Sequence, residues 1–197
     1  MLTVPRTMPP PARIPWAMHE LDTAFVPCEY RVKWADSVWE TRHALALRRA
    51  VFCSEQGLFD GDDRDRLDDS ARLLVALACV AGVAEAVIGT VRIAEIEPGR
   101  WWGSRLAVAR EYRRHGRVGA SLIRLAVSSA HALGCREFLA HVQSQNVPLF
   151  EHLRWTALDE VELHGRPHRL MRADLASYPP CGTPLSGFVT RAERSPA

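Results

Sequence analysis

The sequence predicts an α/β fold of the α+β kind, and three features of the chain indicate it. An apolar strand at 101–108 runs through a basic, glycine-containing turn into a helix. In that helix apolar residues recur at helical spacing from Val118 to Leu133. Two apolar runs of strand length, at 73–80 and 86–96, precede this unit. The predicted order is therefore strand, helix, loop, three strands, helix, strand, helix and two strands.

The first half of the chain begins with an extension. Residues 1–27 are rich in proline and show little periodicity, so they are predicted to be an N-terminal extension. Ser37 and Glu40 form a capping box, which predicts a helix from there to about Cys53. The other elements of this half are a strand at 30–34, an acidic, glycine-broken loop at 57–69, and strands at 73–80, 86–96 and 101–108.

The second half completes one domain. Gly134 stands where the end of a helix favours a left-handed residue, and Asn146 can cap a short helix that ends at Leu153. The strands of this half are expected at 138–142, 155–163 and 168–175, the last two as a hairpin across the turn at 165–167. Residues 28–176 thus form the predicted domain, and the proline- and glycine-rich residues 177–197 are predicted to be an irregular tail.

The composition favours a small enzyme over a protein that binds nucleic acid or a membrane. The 197 residues suffice for one domain with a sizeable core, and a net charge of +2 is too small to indicate a nucleic-acid partner. No apolar run reaches membrane-spanning length. The five cysteines are scattered without a Cys-x-x-Cys pair, so no disulfide framework and no metal site is expected. A reducing cytoplasm is the predicted location, and the oligomeric state is left open, a homodimer included.

The turn before the second helix has the properties of an anion-binding site. The first N–H groups of a helix have no internal partner and lie at the positive end of its dipole, so a phosphate there receives several donors. Glycines in this turn let the backbone approach the phosphate, and arginines add charge. We interpret the turn as a pyrophosphate cradle; the alternative is an ordinary turn with solvated arginines. The candidate residues are Arg113, Arg114, His115, Gly116, Arg117, Val118, Gly119 and Ala120.

Together with three other segments, this turn resembles the GCN5-related N-acetyltransferase (GNAT) family. The cofactor motif of that family is Arg or Gln, two variable residues, Gly, one variable residue, then Gly or Ala. Arg114 and Gly119 match its ends, while the internal glycine falls on Arg117. The other segments are Arg48-x-x-Val51-Phe52-x-x-Glu55-Gln56 with Asp62, Asp65 and Asp69 downstream; Gln143 with Phe150-Glu151-x-Leu153-x-Trp155; and Pro167-His168-x-x-Met171. The pattern is most similar to the nitrogen-starvation N-acetyltransferase subfamily of mycobacteria and cyanobacteria.

The resemblance implies a mixed, mostly antiparallel central sheet flanked by helices. It also implies direct transfer of an acetyl group from acetyl-CoA, as co-substrate, to the amine of a small molecule. The backbone of Leu106, Ala107 and Val108 would then pair with the pantetheine arm, and the Val108 N–H would face the thioester carbonyl. Because the attacking amine must be neutral, a base is expected on the substrate side. The candidates for the base are Glu55, His141 and His168.

Position 150 departs from the family pattern and leaves other functions open. Many of these enzymes use a tyrosine there to protonate the leaving thiolate, whereas Phe150 cannot donate a proton. Tyr112 and Tyr178 are the candidate substitutes. One alternative function is a non-catalytic acyl-CoA-binding or regulatory module on the same fold. Another is an enzyme like the acyl-homoserine-lactone synthases, against which the chain lacks Leu-Gly-Trp after Phe52 and Leu-Pro-Thr after Arg92.

Overall fold

A computed structural model describes residues 29–113 and 117–191 of the chain. These residues form one eight-stranded sheet with helices on both faces. The strands are β1 (Glu29–Trp34), β2 (Arg72–Val80), β3 (Val83–Glu97), β4 (Arg100–Val108), β5 (Glu137–Gln143), β6 (Trp155–Leu163), β7 (Arg166–Ala173) and β8 (Phe188–Arg191). The helices are α1 (Val38–Arg49), α2 (Val118–Ala132) and α3 (Val147–His152), and Ala50–Glu55 continue α1 as a π-helical segment.

The sheet is mixed and mostly antiparallel. The strand order is β6-β7-β5-β4-β3-β2-β1-β8, and every neighbouring pair is antiparallel except β4 and β5. β4 and β5 are parallel, and α2 supplies the crossover that parallel neighbours require. The predicted fold class and the order of elements from the first strand to the last hairpin are thereby confirmed.

The C-terminal tail differs from its prediction. An irregular segment is predicted for 177–197, whereas Phe188–Arg191 form β8 and pair with β1 along the edge of the sheet. Just before β8, the Pro184 carbonyl accepts a hydrogen bond from the Trp34 N–H at 2.8 Å. β8 covers the unpaired backbone groups that an edge strand exposes, and its partner lies at the opposite end of the described chain. A local sequence pattern carries no signal of such a pairing. The predicted extension at 1–27 lies outside the described residues.

Helices α1 and α2 pack on opposite faces of the sheet. Successive side chains of a strand point to opposite faces, and in β2 both sets are apolar. Val75 and Leu77 pack with Ala44 of α1, whereas Leu74 and Ala76 belong to the larger core beneath α2. Among the described helices, none combines the length and the apolar character needed to cross a membrane.

Strands β4 and β5 separate halfway along their length. They pair only from Arg100 opposite Glu137 to Gly103 opposite Ala140. Beyond that point β4 contains a β-bulge against β3, in which Arg105 takes a left-handed φ of 55°. Because a bulge bends its strand, β4 turns away, while β5 continues along β7. The resulting gap in the sheet positions the candidate site.

Candidate active site

The gap between β4 and β5 contains a cavity of about 270 Å³. Ile123 of α2 and Phe150 of α3 line it from one face of the sheet. Phe52, Trp102 and His141 line it from the other face, where α1 packs. The cavity therefore passes through the sheet and connects the face that carries α2 with the face that carries α1.

The start of α2 lies beside this gap and is sterically open. Arg117 precedes the helix and makes no side-chain capping hydrogen bond. A Cβ added to Gly119 would meet only Val108 Cγ2, at 3.8 Å, outside its own helix backbone. The first N–H groups of the helix, at Val118, Gly119 and Ala120, have no acceptor within the helix, and Gly119 has no side chain to hinder the approach of an anion.

The conformation of Arg117 accounts for its departure from the family motif. The motif has its internal glycine at this position, and Arg117 adopts φ 53° and ψ 29°, a region that glycine enters most easily. An L-residue pays about 1–2 kcal/mol for this conformation, so arginine makes the same left-handed turn at a modest cost. Arg114, His115 and Gly116, which complete the predicted cradle, lie outside the described residues.

The strand segment after the bulge flanks the gap. Leu106 lines the cavity, whereas the Ala107 side chain is buried against Phe52 on the α1 face. The Val108 carbonyl accepts a hydrogen bond from Arg113 Nε at 2.9 Å. The position of this segment is compatible with backbone contacts to a pantetheine arm, which stay a prediction.

Glu55 forms an ion pair with Arg113, a residue of the predicted cradle, and does not line the cavity. Its two carboxylate oxygens accept hydrogen bonds from Nη1 and Nη2 of Arg113, the second at 2.8 Å. The hydrogen bonds from Arg113 hold the pKa of Glu55 below its ordinary value, which makes the carboxylate a weaker base. The geometry therefore separates Glu55 from the two candidate histidines.

Strands β5 and β7 bring His141 and His168 together at the cavity. Gln143 is opposite His168 and Leu170 is opposite His141, so the two histidines are diagonal neighbours on one face of the sheet. His168 is 8% exposed, and its Nδ1 lies 2.9 Å from the Arg166 carbonyl oxygen. A carbonyl only accepts, so Nδ1 carries the hydrogen, and in the neutral ring Nε2 is left as an acceptor.

His141 has the properties of a base that works at neutral pH. Its ring packs against Trp102 with 4.8 Å between the ring centroids. Partial burial and the neighbouring His168 both lower the pKa of His141 from its ordinary value of 6.5. A lowered pKa favours the neutral imidazole, which is the form that can accept a proton.

A pair of glutamines joins the two sides of the cavity. Gln143 Nε2 of β5 donates to Gln56 Oε1 at 3.0 Å, directly after the π-helical segment. The Val51 carbonyl accepts from the Gln56 N–H at 3.0 Å, five residues along the chain, and this wider turn places Gln56 there. Both glutamines belong to the motifs found in the sequence, but their contact depends on the folded arrangement of segments 87 residues apart.

Other cavity residues have no motif signal in the sequence. Phe59 lines the cavity, with the Arg105 guanidinium carbon 4.5 Å from its ring centroid and the His164 ring centroid 4.7 Å away. Trp102 is recognisable from the sequence only as a strand residue. It lies opposite Leu139 in the paired part of β4 and β5, next to the point where the two strands separate, and its side chain lines the cavity there.

Three arginines and three aspartates form an ion-pair network beside the cavity, in which only the Asp65 side chain is well exposed. It is called the Arg–Asp network below and consists of Arg48, Arg92, Arg105, Asp63, Asp65 and Asp68. Arg48 is fully buried and donates to Asp63 at 2.8 Å and to Asp68 at 2.6 Å. Arg92 of β3 pairs with Asp65 and Asp68. Arg105, in the bulge of β4, pairs with Asp63 and Asp65. The network ties the loop after α1 to the cavity wall. No group of three or more His, Cys, Asp or Glu in the described residues is arranged to hold a metal ion.

No tyrosine is present among the described residues that line the cavity. Phe150 lines it and packs against Trp155 with 5.0 Å between ring centroids. Tyr178 is buried elsewhere; its hydroxyl donates to the Leu153 carbonyl and accepts from Trp155 Nε1 at 3.0 Å. Burial raises the pKa of both Tyr178 and Tyr112. The described structure thus offers no tyrosine acid at the place that Phe150 occupies.

Comparison with known proteins identifies the family. A model of the acetyltransferase (GNAT) family matches residues 32–153, which run from β1 to the end of α3. A protein of Bacillus subtilis (strain 168), named as an acetyltransferase, is 29% identical over 146 residues. That alignment covers 71% of this chain and 93% of the Bacillus protein.

Solved structures share the same fold. A protein from Lactobacillus plantarum described as an N-acetyltransferase superimposes with a TM-score of 0.64 at 21% identity, covering 74% of this chain and 98% of that one. Escherichia coli ElaA superimposes with a TM-score of 0.61 at 19% identity, covering 75% of this chain and 99% of that one. The CoA-dependent acyl-homoserine lactone synthase BjaI superimposes with a TM-score of 0.60 at 15% identity, covering 74% of this chain and 83% of that one. Because the family model matches more than half of the chain, the protein belongs to the GNAT family of acetyltransferases, whose enzymes use acyl-CoA.

Proposed function

We propose that this protein is an N-acetyltransferase that moves an acetyl group from acetyl-CoA to the amine of a small molecule by direct attack. The observation that carries the proposal is the cavity in the β4–β5 gap, because it connects the side of the open α2 start with His141 and His168. A donor held on the first side and an acceptor held on the second would meet in the gap. The described cysteines are free thiols, which agrees with a cytoplasmic location.

The start of α2 suits the pyrophosphate of CoA. The N–H groups of Val118, Gly119 and Ala120 would donate to it, and Arg113 adds a guanidinium that Glu55 holds in place. The backbone of the 106–108 segment would hold the pantetheine arm, which leads into the gap. Bound acetyl-CoA supplies the activated thioester.

The two histidines have different roles toward the acceptor amine. A free alkyl ammonium has a pKa of about 10 and must lose a proton before it attacks. His168 Nε2 accepts a hydrogen bond from the amine and orients it, and His141 takes the proton. The amine nitrogen then forms the C–N bond and the C–S bond breaks, so that CoA leaves as the thiolate. The excess proton on the new amide nitrogen is released to solvent as the amide forms. His141 is exposed, so it can return its proton to solvent.

A thiol-release assay with acetyl-CoA and a library of amines tests this proposal. Binding is measured separately, since a ligand that binds only the folded state stabilises it by about 2.7 kcal/mol at a hundred times its Kd. Stabilisation by CoA without thiol release from any amine would favour the non-catalytic module. Release that depends on S-adenosylmethionine instead of an amine would favour the acyl-homoserine-lactone-synthase alternative.

Substitution at Gly119 tests the cradle. Gly119→Glu places a side chain and a negative charge where the pyrophosphate approaches, so we expect at least a tenfold loss in CoA affinity by calorimetry. Gly119→Ala is the matched control, because its Cβ has ordinary clearance, and it should keep most of the affinity. Both variants should retain the far-UV circular dichroism of the parent. Equal affinities of the two variants would place the cradle elsewhere.

Position 150 tests how the thiolate leaves. A thiol with a pKa of about 8.5 departs tolerably without an acid, so the rate should rise with pH and then level off. Phe150→Tyr adds only a hydroxyl, and we expect it to fold normally and to add a fall in rate near the tyrosine pKa. A bell-shaped profile in the parent that becomes a plateau in Tyr112→Phe or Tyr178→Phe would contradict this and identify the acid.

A further inference from the structure

The acceptor side of the cavity indicates which class of amine it takes, an inference that rests on the proposed function. We propose that the acceptor is a monoamine with an aromatic body, an arylalkylamine, and that amines with a second cationic group are excluded. Two independent observations carry this proposal, the aromatic side chains around the histidines and the charge balance of the cavity wall.

Aromatic rings surround the position at which the amine must lie. The Trp102 ring packs directly against His141, so the body of an amine held at His141 lies against the indole. Phe52 and Phe59 line the same side of the cavity. Phe59 contacts both Arg105 and His164, at 4.5 Å and 4.7 Å from its ring centroid. Rigid rings of this kind favour a flat apolar body over a flexible polar one.

Besides the aromatic rings, the histidines and two arginines, the cavity wall contains leucines, amide side chains and Ser104. Leu58, Leu67 and Leu163 line it between the aromatic rings. The amides are Gln56, Gln143 and Asn146, and the two glutamines are hydrogen-bonded to each other. A substrate body with several ammonium groups would therefore lose water against the leucines without finding a carboxylate among the described lining residues.

The wall also lacks a counterion for a second positive charge. Of the described residues that line the cavity, none is aspartate or glutamate. The two arginines in the wall, Arg92 and Arg105, are paired with the carboxylates of the Arg–Asp network. In that network three arginines balance three aspartates. A second ammonium would lie beside guanidinium groups with no free carboxylate, whereas the first ammonium loses its charge to His141.

Three amines separate these features: 2-phenylethylamine, hexylamine and 1,6-diaminohexane. Thiol release gives kcat/KM for each, and calorimetry in the presence of CoA gives the affinity for each. We expect 2-phenylethylamine to be preferred over hexylamine by about threefold to tenfold. Hexylamine should be preferred over the diamine by at least tenfold. A diamine that equals or exceeds hexylamine in affinity overturns the proposal. If no amine releases thiol, the proposed function fails, and the binding order still decides this inference.

Variants of the wall assign the selectivity to particular residues. Phe59→Ala should raise the KM for 2-phenylethylamine about tenfold and change that for hexylamine less. Trp39→Ala is the control, since it removes an aromatic ring on α1 that does not line the cavity. Leu163→Asp should shift the preference toward 1,6-diaminohexane, whereas the uncharged Leu163→Asn should not. An unchanged preference in Leu163→Asp, in a protein with parental circular dichroism, contradicts the charge argument.

Discussion

Replacing His141 with alanine is expected to lower kcat/KM for the acceptor amine about 10²–10⁴-fold, the range for loss of a general base. The parent should show kcat/KM rising with pH through an inflection below 6.5, because burial and His168 lower the pKa of His141. Only the neutral imidazole accepts a proton. Therefore kcat/KM falls as pH falls through that pKa, and it reaches its full value above that pKa. The variant should lose this inflection along with the rate.

Three comparisons make the result specific. His43→Ala removes an exposed histidine of α1 and should leave both the rate and the profile unchanged. Glu55→Gln should change the affinity for acetyl-CoA and keep the inflection, because Glu55 pairs with Arg113 outside the cavity. Repeating the profile with an acceptor of lower pKa should not move the inflection if it belongs to the enzyme. Loss of the inflection in Glu55→Gln, with His141→Ala retaining it, would make Glu55 the base.

Replacing Arg48 with alanine is expected to lower the free energy of unfolding by about 3–5 kcal/mol, the cost of removing one partner from a buried ion pair. Arg48 is fully buried, and the substitution leaves the fully buried side chain of Asp63 without one of its arginines. Urea denaturation at pH 7 measures the difference. Arg49→Ala is the matched control, because the Arg49–Asp62 pair is 3.3 Å long with side chains 54% and 43% exposed. A surface pair contributes about 0–1 kcal/mol, so equal effects of the two substitutions would contradict the expectation.

The same network gives stability a defined dependence on acid. Burial opposes the charge of Asp68, yet hydrogen bonds from Arg48 and from the backbone lower its pKa from 3.8 to about 2. A carboxylate with a lowered pKa stabilises the fold above its unfolded value, and this contribution is lost as pH falls through the folded value. The difference between parent and Arg48→Ala should therefore shrink between pH 3.8 and 2. A difference that stays constant over that interval would show that Asp68 is not the responsible partner.

Local patterns in the sequence determine the elements of this fold from β1 to β7, but not β8. The apolar spacing of α2, the Ser37 side-chain cap of α1 and the left-handed Gly134 with φ 87° act within one or two turns of chain, and each is present in the structure. The capping box is formed only in half, because the Glu40 carboxylate accepts from the Asp36 N–H instead of the Ser37 N–H. The family motifs are equally local, since they occupy short runs. Their spacing by itself indicates the GNAT family, which the family model confirms.

Only the tertiary structure decided which of those elements form the site. The bulge at Arg105 separates β4 from β5, and nothing in the local spacing of β4 marks it. It decides that His141 and His168 line the cavity while Glu55 lies on Arg113. β8 likewise depends on its distant partner β1. The physical reason is common to all of these: periodicity reports which face of an element is buried, whereas strand separation and edge pairing depend on packing between segments far apart in the chain.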